Sequence, residues 1–294
     1  MEMKNEVAVI DRITIDCIYS DFENFSSAGE EICTKNFSLS LGGGACVSIS
    51  RLSSMGIPTR FGTFLGKDRL SEFASMLLED FQLQNAKNFY NGEKCPIVYS
   101  TVFSGKNDRQ ILSFDEEIDE NILTDEEMYN FFKGSKICFA PKRESVLEKL
   151  KKDGTIIVYD SHWVENQTVN DIKDIIKYAD FFTPNDKEAM ALTDTENAKD
   201  ALKSLTEYTK NPIVKTGKNG CIAFIDNKIV NFPAPKVKCV DTTGAGDNFL
   251  AGLIFGIYRN LPIEKCVELA NIAGTLSVTE KGCYSAKYDL NNYL

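Results

Sequence analysis

Short apolar runs bounded by turn residues recur along the chain at Val7–Ile10, Ile137–Ala140, Thr155–Asp160, Asp180–Pro184, Pro212–Lys215 and Cys221–Ile225. Each is rich in β-branched or aromatic residues and short for a helix, so each predicts a strand. Between them the apolar period lengthens. Ser145–Lys152 reads as a helix, and Val169–Tyr178 places Ile172, Ile175 and Ile176 at helical spacing. Asp186–Leu192 and Asn197–Thr209 read as helices before the run at Ile213. Strand–helix alternation over residues 130–280 predicts a mostly parallel sheet with helices on both faces. No internal repeat or low-complexity linker interrupts the chain, which predicts one domain over residues 1–294.

Residues 94–115 break the alternation. Ile97–Phe103 and Arg109–Phe114 flank the polar segment Ser104–Asp108, a pattern that predicts a β-hairpin. A hairpin standing off an α/β core has an apolar face to cover. A lid over a site, a partner subunit, or an edge position in the main sheet would each cover it. Arg109 is either an edge charge that blocks strand pairing or a substrate contact. The acidic run Asp115–Glu120 predicts the solvated start of a helix.

Composition narrows the class. Of 294 residues, 43% are apolar and 26% charged, as in a globular chain long enough to bury a large core. Asp and Glu number 43 against 33 Lys and Arg, for a net charge of −10. That argues against nucleic acid or an anionic membrane as partner, though not against a small anion held by backbone dipoles. The first apolar run is too short for a signal segment or a membrane span. Nine cysteines from Cys17 to Cys283, with no Cys-x-x-Cys pair, fit a reduced cytoplasmic protein. His162 is the only histidine, so a His-rich zinc site or a Ser-His-Asp triad is hard to build.

The stretch Val240–Phe249 carries the chemistry. A predicted strand over Lys236–Val240 runs into Asp241-Thr242-Thr243-Gly244-Ala245-Gly246-Asp247. Beyond it, Phe249, Leu250, Leu253, Ile254 and Ile257 mark one apolar helix face. Glycines at 244 and 246 let a ligand approach the backbone, and the first-turn N–H groups of the helix point into the same space. With the positive end of the helix dipole they make an anion hole suited to phosphate. Asp247 at its mouth is placed to take a proton from an attacking hydroxyl, and is equally a plain N-cap. Two other glycine clusters carry less. Gly62–Asp68 has a P-loop outline with the wrong spacing and no Ser or Thr for Mg²⁺, and Gly42-Gly43-Gly44 lacks the dinucleotide fingerprint.

Asp241–Asp247 matches the C-terminal signature of the ribokinase-like (PfkB) carbohydrate kinases, and the chain resembles that family over residues 7–285. Leu41-Gly42-Gly43-Gly44-Ala45, Met55-Gly56 and Gly62–Asp68 resemble its N-terminal signature. Thr183–Ala189 is similar to the family's Asn-x-x-Glu element, and Lys215–Cys221 to its Thr-(Leu/Gly)-Gly-x-x-Gly nucleotide loop. Asp16 matches its substrate-binding aspartate. The resemblance implies a three-layer α/β/α fold with a mostly parallel central sheet. It also implies a small β-sheet lid built from residues near 12–17, 32–40 and 96–114.

The same resemblance implies an ATP- and Mg²⁺-dependent kinase acting on a hydroxyl of a sugar or sugar derivative. Asp247 would be the base, and Gly244, Ala245 and Gly246 the anion hole for the transferring phosphate. Asn185 and Glu188 would hold Mg²⁺, largely through water. Thr216 and Gly217, in the loop closed by Gly220, would contact the ATP phosphates, and Asn271 would lie by the adenine. Asp16, Gly42 and Gly43 would hold sugar hydroxyls, with Arg109 and Trp163 as further candidates. Trp163 either stacks on a sugar or fills a rim. Lys142 and Arg143 are surface charges or anion contacts. A monovalent cation and a homodimer through the lid stay open.

Two positions depart from the family: Val47 and Thr14 each stand where an Asn is usual. Both lie on the sugar side, so the substrate is open among simple sugars, amino-sugar or sugar-acid derivatives, and nucleosides. A catalytically silent sugar-binding regulator is the remaining alternative, and the retained Asp247 and glycines argue against it.

Overall fold

The apolar runs become strands in the computed structural model, which describes residues 4–20, 31, 33–81, 83, 85–104, 109–119, 122–161 and 166–294. The chain opens with β1 (Lys4–Ile10), β2 (Thr14–Ser20), β3 (Asn36–Gly42), α1 (Gly44–Ser54), β4 (Thr59–Thr63), α2 (Arg69–Asp80) and the short β5 (Lys87–Asn88). Next come β6 (Val98–Ser104), β7 (Arg109–Phe114), α3 (Asp125–Phe132), β8 (Ser135–Phe139), α4 (Glu144–Lys152) and β9 (Ile156–Tyr159). They are followed by α5 (Val169–Ile176), β10 (Phe181–Phe182), α6 (Asp186–Thr193), α7 (Ala198–Leu205) and β11 (Ile213–Lys215). The chain ends with β12 (Cys221–Ile225), β13 (Lys228–Phe232), α8 (Ala245–Tyr258) and α9 (Ile263–Ser277). The main sheet has the order β10-β9-β8-β1-β4-β5, and its described pairs are parallel.

The chain divides into two compact units, one of Met1–Ile10, Val47–Arg60 and Leu123–Leu294, the other of Asp11–Cys46 and Phe61–Ile122. In the first unit, Val7, Ala8, Ile137, Cys138, Ile157 and Val158 are fully buried, because parallel strands are covered on both faces. Ile172, Ile176, Phe182, Leu202, Leu205 and Val214 pack as one cluster that joins α5 and α7 to the strand ends. The helix α8 is buried all round over Asn248–Ile257, rather than on the single apolar face expected. Its Gly252 and Gly256 allow this. A methyl group added at either would lie 2.7 Å from the Leu269 carbonyl oxygen or 2.8 Å from Cys266 Cα, both on α9.

The parallel pattern stops earlier than the alternation suggested. β11, β12 and β13 form a separate antiparallel sheet, linked to β10 and α6 through the bridges Phe182↔Pro212 and Asn185↔Lys215. Asp226 and Asn227 both have positive φ, at 49° and 60°, the two-residue turn that closes a tight hairpin. No strand forms over Lys236–Val240. Pro233 and Pro235 remove two backbone donors just before it, and the Val240 N–H donates to the Val278 carbonyl at 2.7 Å.

The second unit holds a four-stranded sheet of order β3-β2-β6-β7, so the predicted hairpin belongs to a small sheet and is not an edge of the main one. β2 pairs antiparallel with β3 and parallel with β6, and β6 pairs antiparallel with β7. The acidic run is coil over Asp115–Asp119 rather than a helix start. Its members are engaged: Asp115 pairs with Arg12 at 2.8 Å, and the Glu116 carboxylate accepts the Cys95 N–H at 2.9 Å. Among the described residues no helix is long and apolar enough to cross a membrane.

Candidate active site

The turn before α8 starts the helix without a side-chain cap. Gly244 is the N-cap, in the left-handed region at φ 72°, and carries nothing to cap with. Asp247 therefore sits inside the first turn, which removes the plain N-cap reading of that residue. Helix geometry leaves the first-turn N–H groups without intrahelical acceptors, so this end is electropositive. A side chain at 244 is excluded twice over. Its φ disfavours L-residues, and a Cβ there would lie 2.7 Å from Cys283 Sγ. Asp241 braces the turn from outside, accepting the Thr243 N–H and hydroxyl on one oxygen and the Gly282 N–H on the other.

A buried polar network lies beneath the turn. Asn248 is fully buried; its Nδ2 donates to the carbonyls of Gly244 at 2.9 Å and Cys283 at 3.1 Å. Its Oδ1 accepts from Arg51 Nε at 2.9 Å and from the Tyr288 hydroxyl at 2.6 Å. The Arg51 guanidinium also lies 4.7 Å from the Tyr288 ring centroid. On α1, Ser48 Oγ donates to the Asp247 carbonyl at 2.9 Å. This network fixes the peptide planes around Gly244 and Asp247. Sequence reading missed it, because nothing local marks Arg51 as buried.

The Asn-x-x-Glu element is a capping box at the start of α6. Asn185 Oδ1 accepts the Glu188 N–H, and Glu188 Oε2 accepts the Asn185 N–H, each at 2.9 Å. Glu188 Oε2 also accepts the Ser161 hydroxyl at 3.1 Å. Burial lifts the Glu188 carboxyl above the ordinary carboxylate range, and the charge on Asp160 lifts it further; the Asn185 N–H and Lys215 oppose this. Lys215, at the end of β11, holds Asp160 through both carboxylate oxygens, at 2.7 and 3.0 Å, with each side chain only 14% exposed. The Lys215 ammonium also lies 3.2 Å from where a Cβ on Gly246 would begin. Asp160, Glu188, Lys215 and Gly246 thus meet at the C-terminal ends of parallel strands and the start of α8, the edge where α/β proteins bind ligands. Neither Lys215 nor Asp160 stood out in the sequence.

Thr216 and Gly217 follow directly. Gly217–Asn219 is a single 3₁₀ turn, closed by the Thr216 N–H on the Gly220 carbonyl at 2.8 Å. Gly220 has φ 98° and packs where a Cβ would strike the Phe232 carbonyl, so only glycine fits at this end of the loop. Asn271 is buried on α9, and its amide donates to the carbonyls of Phe232 and Pro233 at 3.0 and 2.9 Å. What it fixes is the chain entering the 233–241 segment. Lys142 is exposed, and Arg143 pairs with Asp125 at 3.8 Å.

The sugar-side candidates lie in the second unit. Asp16 is at the middle of β2, with Ile15 and Cys17 buried on the opposite face, so it projects from the polar side as the alternation predicts. A Cβ on Gly42 would fall 2.2 Å from an Asp16 carboxylate oxygen, so only glycine admits that carboxylate. Gly43 has φ 85° beside Thr14. Register aligns Ser40, Asp16, Ser100 and Ser113 in one row across the four strands, and the hydroxyls of Ser100 and Ser113 lie 2.9 Å apart. Arg109 is the first residue of β7, and its side chain lies outside the described residues, as do His162 and Trp163. Val47, in the first unit, is buried in α1.

Oxygen donors dominate the Asp160–Glu188–Asn185 corner, and two carboxylates there face one ammonium. Such a set suits a hard cation such as Mg²⁺, which keeps several waters and takes one or two carboxylates beside substrate phosphates. Among the described residues no group of three or more His, Cys, Asp and Glu forms an all-protein metal cage.

Residues 4–289 match the model of the pfkB family carbohydrate kinases. The chain is 29% identical over 290 residues to a ribokinase from Lactococcus lactis, covering 94% of this chain and 92% of that one. Its structure is similar to that of an Arabidopsis thaliana ribokinase complexed with ribose and ATP, at TM-score 0.77 and 21% identity over 99% and 97% of the two chains. It is similar too to a nucleoside kinase of the ribokinase family from Methanocaldococcus jannaschii, at TM-score 0.75 and 19% identity over 99% and 97%. The likeness gives the fold as three-layer α/β/α, as expected.

Proposed function

This chain belongs to the pfkB family of carbohydrate kinases, phosphotransferases that take an alcohol as acceptor, and we propose that it transfers the γ-phosphate of ATP to a hydroxyl of a sugar or sugar derivative, with Asp247 as base. The observation that carries this is the uncapped start of α8, with Asp247 in its first turn and Lys215 against Gly246. The sugar hydroxyl oxygen attacks the γ-phosphorus as its proton passes to the Asp247 carboxylate. The bond to the β–γ bridging oxygen breaks, and ADP leaves with that electron pair. The backbone N–H groups at Gly244–Gly246 stabilise charge on the transferring group, where positioning and neutralisation supply most of the acceleration.

Glu188 and Asn185 would hold Mg²⁺ largely through water, and the cation when bound would neutralise the ATP phosphates. Thr216 and Gly217 would meet those phosphates, and the segment fixed by Asn271 would border the adenine. A monovalent cation is part of the same reading. On the sugar side, Asp16 accepts bonds from two adjacent hydroxyls, with Gly42 and Gly43 approaching from the backbone. The serine row beside Asp16 supports a substrate that is polar along its length. Arg109 and Trp163 remain further contacts in this proposal. The nine cysteines are thiols rather than disulfides, which fits a reducing, cytoplasmic setting.

The opposite face of that sheet exposes Phe37, Leu39, Leu112 and Phe114. We read it as the face of a homodimer, since large apolar patches mark interaction surfaces. Light scattering that shows only monomer at working concentration would remove that part. The substrate is tested by ATP turnover against ketoses, pentoses, sugar acids, amino sugars, glycated amino acids and nucleosides. Turnover with a sugar or sugar derivative is expected. Turnover confined to nucleosides would replace the acceptor class, and none with any acceptor would favour a silent binder.

A further inference from the structure

We infer that Lys215 is a catalytic residue that neutralises the transferring phosphoryl group at Gly246, and that Asp160 is the positioning residue that holds it there. The inference rests on the kinase reading above. An ammonium has three donors and no acceptor. Asp160 takes two of them, with its oxygens at 2.7 and 3.0 Å from Nζ, which leaves one for another acceptor. The same Nζ lies 3.2 Å from the Cβ position that Gly246 lacks, so the absent side chain is what opens the way between the ammonium and the first turn of α8. The lysine's backbone is pinned by the Lys215 N–H on the Pro184 carbonyl at 2.9 Å and by pairing with Cys221.

The pair also has the burial that makes such charges count. Both side chains are 14% exposed, so their field is screened far less than that of a surface pair. A structural ion pair would be satisfied anywhere along β11. This one sits beside the first turn of α8, with Nζ 3.2 Å from the Cβ position of Gly246. As the hydroxyl oxygen bonds to phosphorus and the bridging oxygen leaves with ADP, negative charge spreads over the non-bridging oxygens. Lys215 is set to donate to one of them, while the proton goes to Asp247.

The test compares Lys215→Met, Lys215→Arg, Asp160→Asn and the double variant Lys215→Met/Asp160→Asn, each first checked for folding by thermal unfolding. Lys215→Met is expected to lower kcat roughly 10²–10³-fold, the loss typical of one donor to developing charge, with the sugar KM unchanged. Its affinity for ADP with aluminium fluoride, a mimic of the transferring group, should fall far more than its affinity for ADP alone. Lys215→Arg should recover part of the rate. Asp160→Asn should lose less than Lys215→Met, and the double variant should be no worse than Lys215→Met, because Asp160 acts through the lysine. If Lys215→Met unfolds, the Arg and Asn variants carry the comparison, and equal loss of ADP and fluoride-complex affinity in both overturns the proposal. So does near wild-type kcat in Lys215→Met, or additive losses in the double variant. Wild-type protein without ATP turnover on any acceptor would instead overturn the kinase reading, and this proposal with it.

Discussion

Arg51 Nε donates to Asn248 Oδ1 at 2.9 Å, with both side chains buried and Asn248 next in sequence to Asp247. The asparagine amide also holds the Gly244 carbonyl, so one side chain links a buried guanidinium to the turn that opens α8. Asn248→Ala would leave the Arg51 Nε and the Tyr288 hydroxyl without their shared acceptor and take the side-chain donor from the Gly244 and Cys283 carbonyls, which keep the residue-248 N–H and the Arg51 guanidinium. A loss of about 3 kcal/mol or more is expected, since each unpaired buried polar group costs ~1–3 kcal/mol and charged ones more. Urea unfolding measures it. A change below ~0.5 kcal/mol, the usual bound for surface substitutions, would mean the network is not what holds the turn.

Glu188 should set a pH-dependent strain on the fold. Burial first, then the Asp160 charge, raises its carboxyl above the ordinary range in the folded chain. The native state therefore keeps the proton more tightly than the unfolded one. Stability from this group is full below the ordinary carboxylate pKa and declines as pH rises through the raised folded value. Glu188→Gln removes that decline and keeps an oxygen for Asn185 and Ser161. The variant should match wild type near about pH 4 and exceed it near about pH 8, bracketing the ordinary Glu value of ~4.3, while losing turnover. Unfolding curves whose difference does not grow with pH would contradict the assignment.

The site was legible where the chemistry is local. Glycines at 244 and 246 before an apolar run announce the tight turn into α8, and Asn185 with Glu188 announces a helix start. Lys215 and Asp160 were not legible, because their meaning comes from two strand ends more than fifty residues apart meeting at one edge. Arg51 was hidden for the same reason: a lone Arg in a helix reads as surface until Asn248 and Tyr288 close around it. For the fold, the parallel strands β8, β9 and β10 followed from their continuous apolar runs. The antiparallel β12–β13 hairpin has a readable signal, Asp226-Asn227 between two β-rich runs, which the surrounding strand–helix alternation masks. At Lys236–Val240 the strand reading gave way to the two prolines just before it, Pro233 and Pro235.

Asp16 tests the sugar side separately from the nucleotide side. Asp16→Ala should raise the sugar KM roughly 10–150-fold, equivalent to losing a charge-assisted bond of ~1.5–3 kcal/mol, and leave the ATP KM nearly unchanged. Steady-state kinetics with each substrate varied in turn reads this. Equal effects on both KM values would point to general damage to β2, and no effect on the sugar KM would remove Asp16 as a ligand.

The central claim is that Asp247 takes the hydroxyl proton while phosphate crosses from ATP to a sugar. Asp247→Asn keeps the shape and the first-turn position but accepts no proton. With the best acceptor from the substrate panel, its phosphosugar formation followed by mass spectrometry should fall ~10²–10⁴-fold, while ATP still binds as in wild type. Near wild-type product formation by Asp247→Asn would contradict the account.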